Sequence, residues 1–261
     1  MGQGKAGSLT VSEASDLLIR VVHPPTDEDP FLLIDKPRGL PSAPLFEGQE
    51  SALTQALRLY PAVDAVRGKK SVERGLLHRL DTGAHGLLLI AATQQSYDAL
   101  SLAQDQGRFS KGYTARCFLL PQKERGMRQG FPPAPFDIAP DALTGVAKKW
   151  SVVSAFRHYG KKGFLSRPVT ASSGAAAIKK SRPVVYQTDV SLRRLGDEIL
   201  ADCTITKGFK HQVRCHLAWL GFPVKGDELY GSASSGERLE FCASSVCFPH
   251  PITGKQVLIT L

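Results

Sequence analysis

Hydrophobic and polar positions alternate with period two in four stretches of the chain. Tyr113, Ala115, Cys117 and Leu119 share one side of the first. Val184, Tyr186, Thr188, Val190 and Leu192 share a side of the second, Ile199, Ala201, Cys203 and Ile205 of the third, and Val257, Ile259 and Leu261 of the fourth. Such alternation predicts strands covered on one face. Phe31 to Asp35 and Leu87 to Ala92 are instead short continuous apolar runs, which predict buried strands. Further strands are expected at Leu17 to Val22 and at Lys148 to Ala155. Helices are predicted at Ser51 to Leu59, with Pro61 beyond its end, and at Thr93 to Gln106, with Thr93 as N-cap and Gly107 at the stop. A third helix, Lys210 to Leu220, ends at Gly221 and Pro223. Its apolar stripe is Val213, Leu217 and Leu220, with Arg214 at the stripe edge, able to snorkel to water or turn into a cleft. One-faced strands favour an α/β fold of the α+β type over a parallel, doubly wound one: a mixed, mainly antiparallel sheet with flanking helices.

Residues 1–16 read as a loose leader and 17–261 as a single domain. Residues 121–182 break the regular pattern, and RPVTASSGAAAIKKSRP within them reads as loop. Charge adds to this picture. The chain carries 33 Lys+Arg against 24 Asp+Glu, a net +9. Residues 121–182 hold twelve basic and three acidic side chains, so the whole excess sits in this insertion-like segment. A concentrated basic block, with Lys148, Lys149, Lys161 and Lys162 among its members, suits a polyanionic partner. A solvated insertion accounts for it equally well. The five cysteines form no C-x-x-C pair and no zinc spacing, and no apolar leader precedes them, so reduced thiols in a cytoplasmic protein are expected. The longest strongly apolar run is far short of a membrane span.

Two stretches are dense in chemistry. In HRLDTGAHGLLLIA an extended backbone puts Arg79 and Asp81 on one side and Leu80 on the other, with Gly83 and Gly86 allowing a tight loop before the apolar run. Alone, an Arg-x-Asp pair is more often a structural ion pair. In KGFKHQVRCHLAWLGFPVKGDELYG, His211 and His216 are five apart, poor spacing for joint metal ligation on a helix. The plain reading of His211 is a hydrogen-bonded residue that fixes its loop.

These two blocks, with LIDKPRGLPSAP upstream, GRFSKGYTA between them and FPHPITG near the end, resemble the RluA-type pseudouridine synthases. The resemblance implies that family's fold, with a central catalytic cleft, and site-specific isomerisation of uridine to pseudouridine in structured RNA, rRNA or tRNA. It implies no cofactor and no metal. Residue by residue, Asp81 matches the catalytic aspartate, Tyr113 the tyrosine that packs on the target base, and Arg214 the basic residue that pairs with the aspartate. Arg79 matches the arginine that fills the space left by the extruded nucleotide, and Val224 an apolar pocket residue. His78, Lys36 and His211 join Arg79, Val224 and the four lysines as expected substrate-binding residues. Ala84, His85 and Phe209 depart from the family pattern, which touches loop contacts and substrate choice more than activity. The stretch before Phe31 is too short for an added RNA-binding module, so the catalytic domain is expected to supply its own grip on RNA. The expected partner is RNA alone, with no obligate protein partner, and the expected state a monomer. Two other readings stand beside this one: a catalytically silent RNA-binding or ribosome-assembly factor on the same fold, and a metal-dependent phosphoesterase using Asp81, Asp227 and the histidines.

Overall fold

The computed structural model describes residues 17–120, 130–231 and 237–261; the expected leader and the start of the basic segment, residues 121–129, lie outside them. The chain divides into two compact units, residues 1–99 and 100–261.

In the first unit, β1 (Arg20–His23), β2 (Phe31–Lys36) and β3 (His85–Ala91) pair antiparallel in that order. Leu32, Leu33, Ile34 and all of Leu87–Ala91 are fully buried, which is why their sequences run apolar without alternating. β1 starts three residues later than the pattern predicts. The Leu17 carbonyl and the Ile19 amide bond the Gln55 side chain on α1 (Ala52–Leu59) instead of a strand. That helix opens with a reciprocal cap: the Thr54 amide donates to Ser51 Oγ at 3.1 Å and the Ser51 amide to Thr54 Oγ1 at 2.8 Å. α2 (Gln94–Asp105) begins at the expected Thr93 cap, whose Oγ1 accepts from the Ser96 amide, and runs across the boundary between the units.

In the second unit seven strands pair antiparallel throughout: β4 (Ser110–Cys117), β5 (Lys148–Tyr159), β6 (Leu165–Val169), β7 (Tyr186–Leu195), β8 (Glu198–Ile205), β9 (Phe241–Pro249) and β10 (Gln256–Thr260). Their order is β10-β9-β4-β8-β7-β5-β6. The mainly antiparallel sheet expected from the alternation is therefore present. Tyr113, Ala115 and Cys117 face inward, as do Tyr186, Thr188, Val190 and Leu192, and Ile199, Ala201, Cys203 and Ile205. Leu119 falls beyond β4, where residues 116–120 pair with 221–225 instead. The strand expected at Lys148 to Ala155 runs on to Tyr159, and part of the expected loop forms β6 and the short helix α3 (Ala175–Lys179). Arg157 pairs with Arg167 in this hairpin, so a basic outer face hides the strand pattern.

The narrow stripe expected on the third helix is corrected. Every residue of α4 (Gln212–Trp219) is buried, Arg214 included. A helix with polar residues on its buried faces is tolerated because each is paired inside. Gln212 Nε2 donates to the Gln187 carbonyl at 2.9 Å, Trp219 Nε1 to the Pro132 carbonyl at 2.8 Å, and the His216 ring lies between Thr188 Oγ1 at 2.8 Å and Ser154 Oγ at 2.9 Å. Burial pushes His216 from 6.5 down to about 3. Between these values the unfolded chain binds a proton that the folded chain refuses. Urea stability should therefore fall as pH drops from 6.5 towards 3, and His216→Gln should remove that part of the slope even if absolute stability declines. An unchanged slope would show that another group carries it.

Candidate active site

In the first unit, the segment carrying Arg79 and Asp81 is pinned from both sides. Leu76 bridges to Ile90, the Leu77 amide donates to the Leu89 carbonyl at 3.0 Å, and the Leu89 amide donates to His78 Nε2 at 3.3 Å. Ser42 Oγ accepts from the Leu80 amide at 2.9 Å and donates to its carbonyl at 2.8 Å. The Thr82 carbonyl accepts from the Gly39 amide at 2.8 Å and from Lys36 Nζ at 3.2 Å. Leu80 is buried, Arg79 exposed and Asp81 half-buried, the alternation expected of an extended backbone. Asp81 thus sits between two fixed residues while its own side chain reaches the surface.

Lys36 is not placed to hold substrate. Its side chain is fully buried and its ammonium donates to the carbonyls of Pro37 at 2.8 Å, Leu40 at 2.7 Å and Thr82 at 3.2 Å. Burial pushes Lys36 down to about 7, against the upward pull of the Asp81 carboxylate. It is a strut under the Asp81 loop. Arg79, 55 % exposed, pairs with Glu73 at 3.2 Å. An exposed pair of this kind is worth about 1 kcal/mol at most, so the guanidinium is cheaply released.

In the second unit, Tyr113 lies at a register shift between β4 and β9 and its ring stacks on Phe241, centroids 5.1 Å apart and 2° from parallel. Gly112 permits the approach, since a Cβ there would collide with Ser245 Oγ. Lys111 shares the Tyr113 face, is buried, and is pushed down to about 8 by that burial. The sequence pattern hid it, because a lysine does not extend an apolar face.

Arg214 has its described partner in Asp227. Nε meets Oδ2 at 2.9 Å and Nη2 meets Oδ1 at 2.7 Å, a buried bidentate fork. Asp227 Oδ1 also accepts from the amides of Leu229 at 2.9 Å and Tyr230 at 3.0 Å. Gly226 turns the chain into this loop at φ +71°, with the Arg238 carbonyl where a Cβ would stand. The Tyr230 ring packs 5.7 Å from the Arg214 guanidinium, and its hydroxyl accepts from the Ser166 amide at 2.8 Å and meets His211 Nδ1 at 3.0 Å. His211, at φ +58°, caps α4, which is the plain loop-fixing reading of that residue. Val224 is fully buried and bridges to Cys117. With its oxygens spent on Arg214 and two amides, Asp227 does not serve the metal-dependent reading; among the described residues no group of three His, Cys, Asp or Glu is placed to hold an ion.

The family model described as RNA pseudouridylate synthase matches residues 30–219. The chain belongs to this family. Among relatives of this pseudouridylate synthase, the ribosomal large subunit pseudouridine synthase D of Zymomonas mobilis is 25% identical over 94% of this chain and 69% of its own length. The tRNA pseudouridine(31) synthase of Saccharomyces cerevisiae is 28% identical over 82% of this chain, which spans 48% of it, about half. The dual-specificity RNA pseudouridine synthase RluA of Vibrio vulnificus is 27% identical over 87% of this chain and 81% of its own. These likenesses make the chain an RluA-type member. The fold is shared with human RNA pseudouridylate synthase domain containing 1, at a TM-score of 0.63 and 17% identity over 100% of this chain and 86% of that one. The matched span contains Asp81, Tyr113 and Arg214 and stops short of Val224, Asp227 and Tyr230. Sequence reasoning gave Asp227 a place only in the metal-dependent reading and Tyr230 none, although GDELYG already stood inside the second dense block.

The four lysines do not make one patch in this synthase. Lys148 and Lys149 open β5 and Lys161 and Lys162 lie just past its end. A strand of twelve residues separates the pairs by about 40 Å.

Proposed function

We propose that this chain isomerises uridine to pseudouridine in structured rRNA or tRNA, with residues 17–261 acting as one catalytic domain. The observation that carries the reading is the family match over residues 30–219, which runs through Asp81, Tyr113 and Arg214. The reaction breaks N1–C1′ of the nucleotide, turns the uracil and joins C5 to C1′; the C5 proton leaves and N1 gains one. Nothing is oxidised, and no cofactor is consumed. The catalytic group is the Asp81 carboxylate, acting as nucleophile or base at the ribose. Its loop is held on both sides, which supports a fixed attack geometry. Extruding the base costs a few kcal/mol. Arg79, held among the described residues by an exposed pair with Glu73, fills the vacated stack. Tyr113 offers its ring to the uracil and its hydroxyl to proton transfer at C2′ or C5, and the buried fork holds Arg214 charged and oriented. His78 and His211 stand beside the loops of Asp81 and Arg214, and the two lysine pairs take separate stretches of RNA. All five cysteines are free thiols, which suits a reducing, cytoplasmic setting, and the monomer suffices for this chemistry.

Unmodified rRNA and tRNA transcripts incubated with the protein should each be mapped for pseudouridine. At least one defined uridine is expected to convert. Tight RNA binding with no product at any site would favour the silent RNA-binding factor instead.

A further inference from the structure

The turn joining β5 to β6 has a feature that uridine isomerisation does not require. Gly160, Lys162 and Gly163 all take left-handed φ, at +76°, +54° and +66°, and the compact turn they form presents Lys161, Lys162 and Phe164. Phe164 is 55% exposed, a large ring that hydrophobic burial would ordinarily cover. Lys210 Nζ stands 4.9 Å from its centroid and the His211 ring meets it edge-on at 6.3 Å. Behind it, His158 and Phe209 stack at 4.8 Å, with Arg182 5.9 Å from the Phe209 centroid. Lys161, Lys162, Lys210 and Arg182 are exposed, and among the described residues none of them takes part in an ion pair.

The tip is anchored rather than loose. Buried Ser166 donates its amide to Tyr230 Oη at 2.8 Å and its hydroxyl to the Lys210 carbonyl at 2.6 Å, and its own carbonyl accepts from Cys215 Sγ at 3.6 Å. The Tyr230 amide in turn bonds Asp227, which holds Arg214. A short chain of buried bonds therefore fixes the aromatic tip relative to the catalytic arginine.

We propose that this hairpin tip is a docking platform for an unpaired RNA base, stacked on Phe164, whose flanking phosphates are taken by Lys161, Lys162 and Lys210. An exposed aromatic ring ringed by unpaired cations is the chemistry that single-stranded nucleic acid fits: the ring stacks on any base and the cations track the backbone. A folded acidic protein would satisfy the charges but leave the ring without a flat partner. The inference rests on the reading of this chain as acting on RNA, and adds that its substrate carries an unpaired nucleotide besides the target uridine.

The test uses Phe164→Trp in the full chain, with a short single-stranded RNA, a blunt duplex of the same sequence, polyphosphate and anionic vesicles as probes. Single-stranded RNA should quench the new indole, while the other three should not. Phe164→Ala should weaken binding of the single strand about tenfold, and Phe164→Tyr should restore it. Replacing Lys161, Lys162 and Lys210 together by Gln should lower the slope of log affinity against log salt by about 2, at roughly 0.7 per phosphate contact. Unchanged affinity in Phe164→Ala, or equal quenching by duplex or vesicles, would overturn the platform. Mapping pseudouridine with the wild-type protein separates the two readings. Modification with no effect at Phe164 ends the platform alone, whereas quenching without modification ends the isomerase reading and leaves the platform.

Discussion

Asp81→Asn should abolish pseudouridine formation, by about 10⁴-fold or more in single-turnover rate, while RNA affinity and thermal stability stay close to wild type. The substitution keeps the side chain's size and the backbone bond from the Ala84 amide to the residue 81 carbonyl. The neighbours that set the loop, Ser42, Gly39 and Lys36, bond to Leu80 and Thr82 and keep those hydrogen bonds. What disappears is the carboxylate proposed to act as nucleophile or base at the ribose. A second readout follows from Lys36, whose value near 7 is a balance between burial, which lowers it, and the Asp81 charge, which raises it. Without that charge Lys36 should titrate lower still, and the part of the pH dependence of stability that it carries should shift to lower pH. Asp81→Ala should be equally inactive. An active Asn variant would move the catalytic role to another residue.

Asp227→Ala should unfold the second unit more easily than any surface change, by about 3–5 kcal/mol. It leaves the Arg214 guanidinium buried without its bidentate partner and strips the acceptor from the amides of Leu229 and Tyr230. For a unit of this size that is a drop in melting temperature of roughly 6–20 °C. The double variant Asp227→Ala with Arg214→Met should recover much of the loss, because packed apolar atoms replace a buried pair at little cost. Its activity then separates two roles. If Arg214 acts on the substrate, the double variant is stable and slow. If the pair only holds α4 in place, stability and activity return together. A single Asp227→Ala variant as stable as wild type would show that the fork is not the anchor described here.

A structural feature is legible in sequence only as far as its signal reaches along the chain. Strand alternation and helix caps are local, so the buried runs of β2 and β3, the inward faces of β4, β7 and β8, and the caps at Ser51 and Thr93 were legible residue by residue. The alternation of Arg79, Leu80 and Asp81 belongs with them. Edge and basic segments were less legible, because β5, β6 and β10 cover only part of their faces and carry charge where an apolar residue would mark the strand.

The sequence by itself determined the antiparallel sheet class and the family, and singled out the residue proposed to carry the chemistry, because these reside in short patterns and in motif identity. Only the tertiary structure decided that Lys36 is a buried strut, that Arg214 is clamped by Asp227, and that Phe164, Lys210 and His211 meet at one tip. Each of these depends on what a charge or ring finds across the fold. Desolvation and partner geometry set that outcome, and neither is encoded in the spacing of neighbours along the chain.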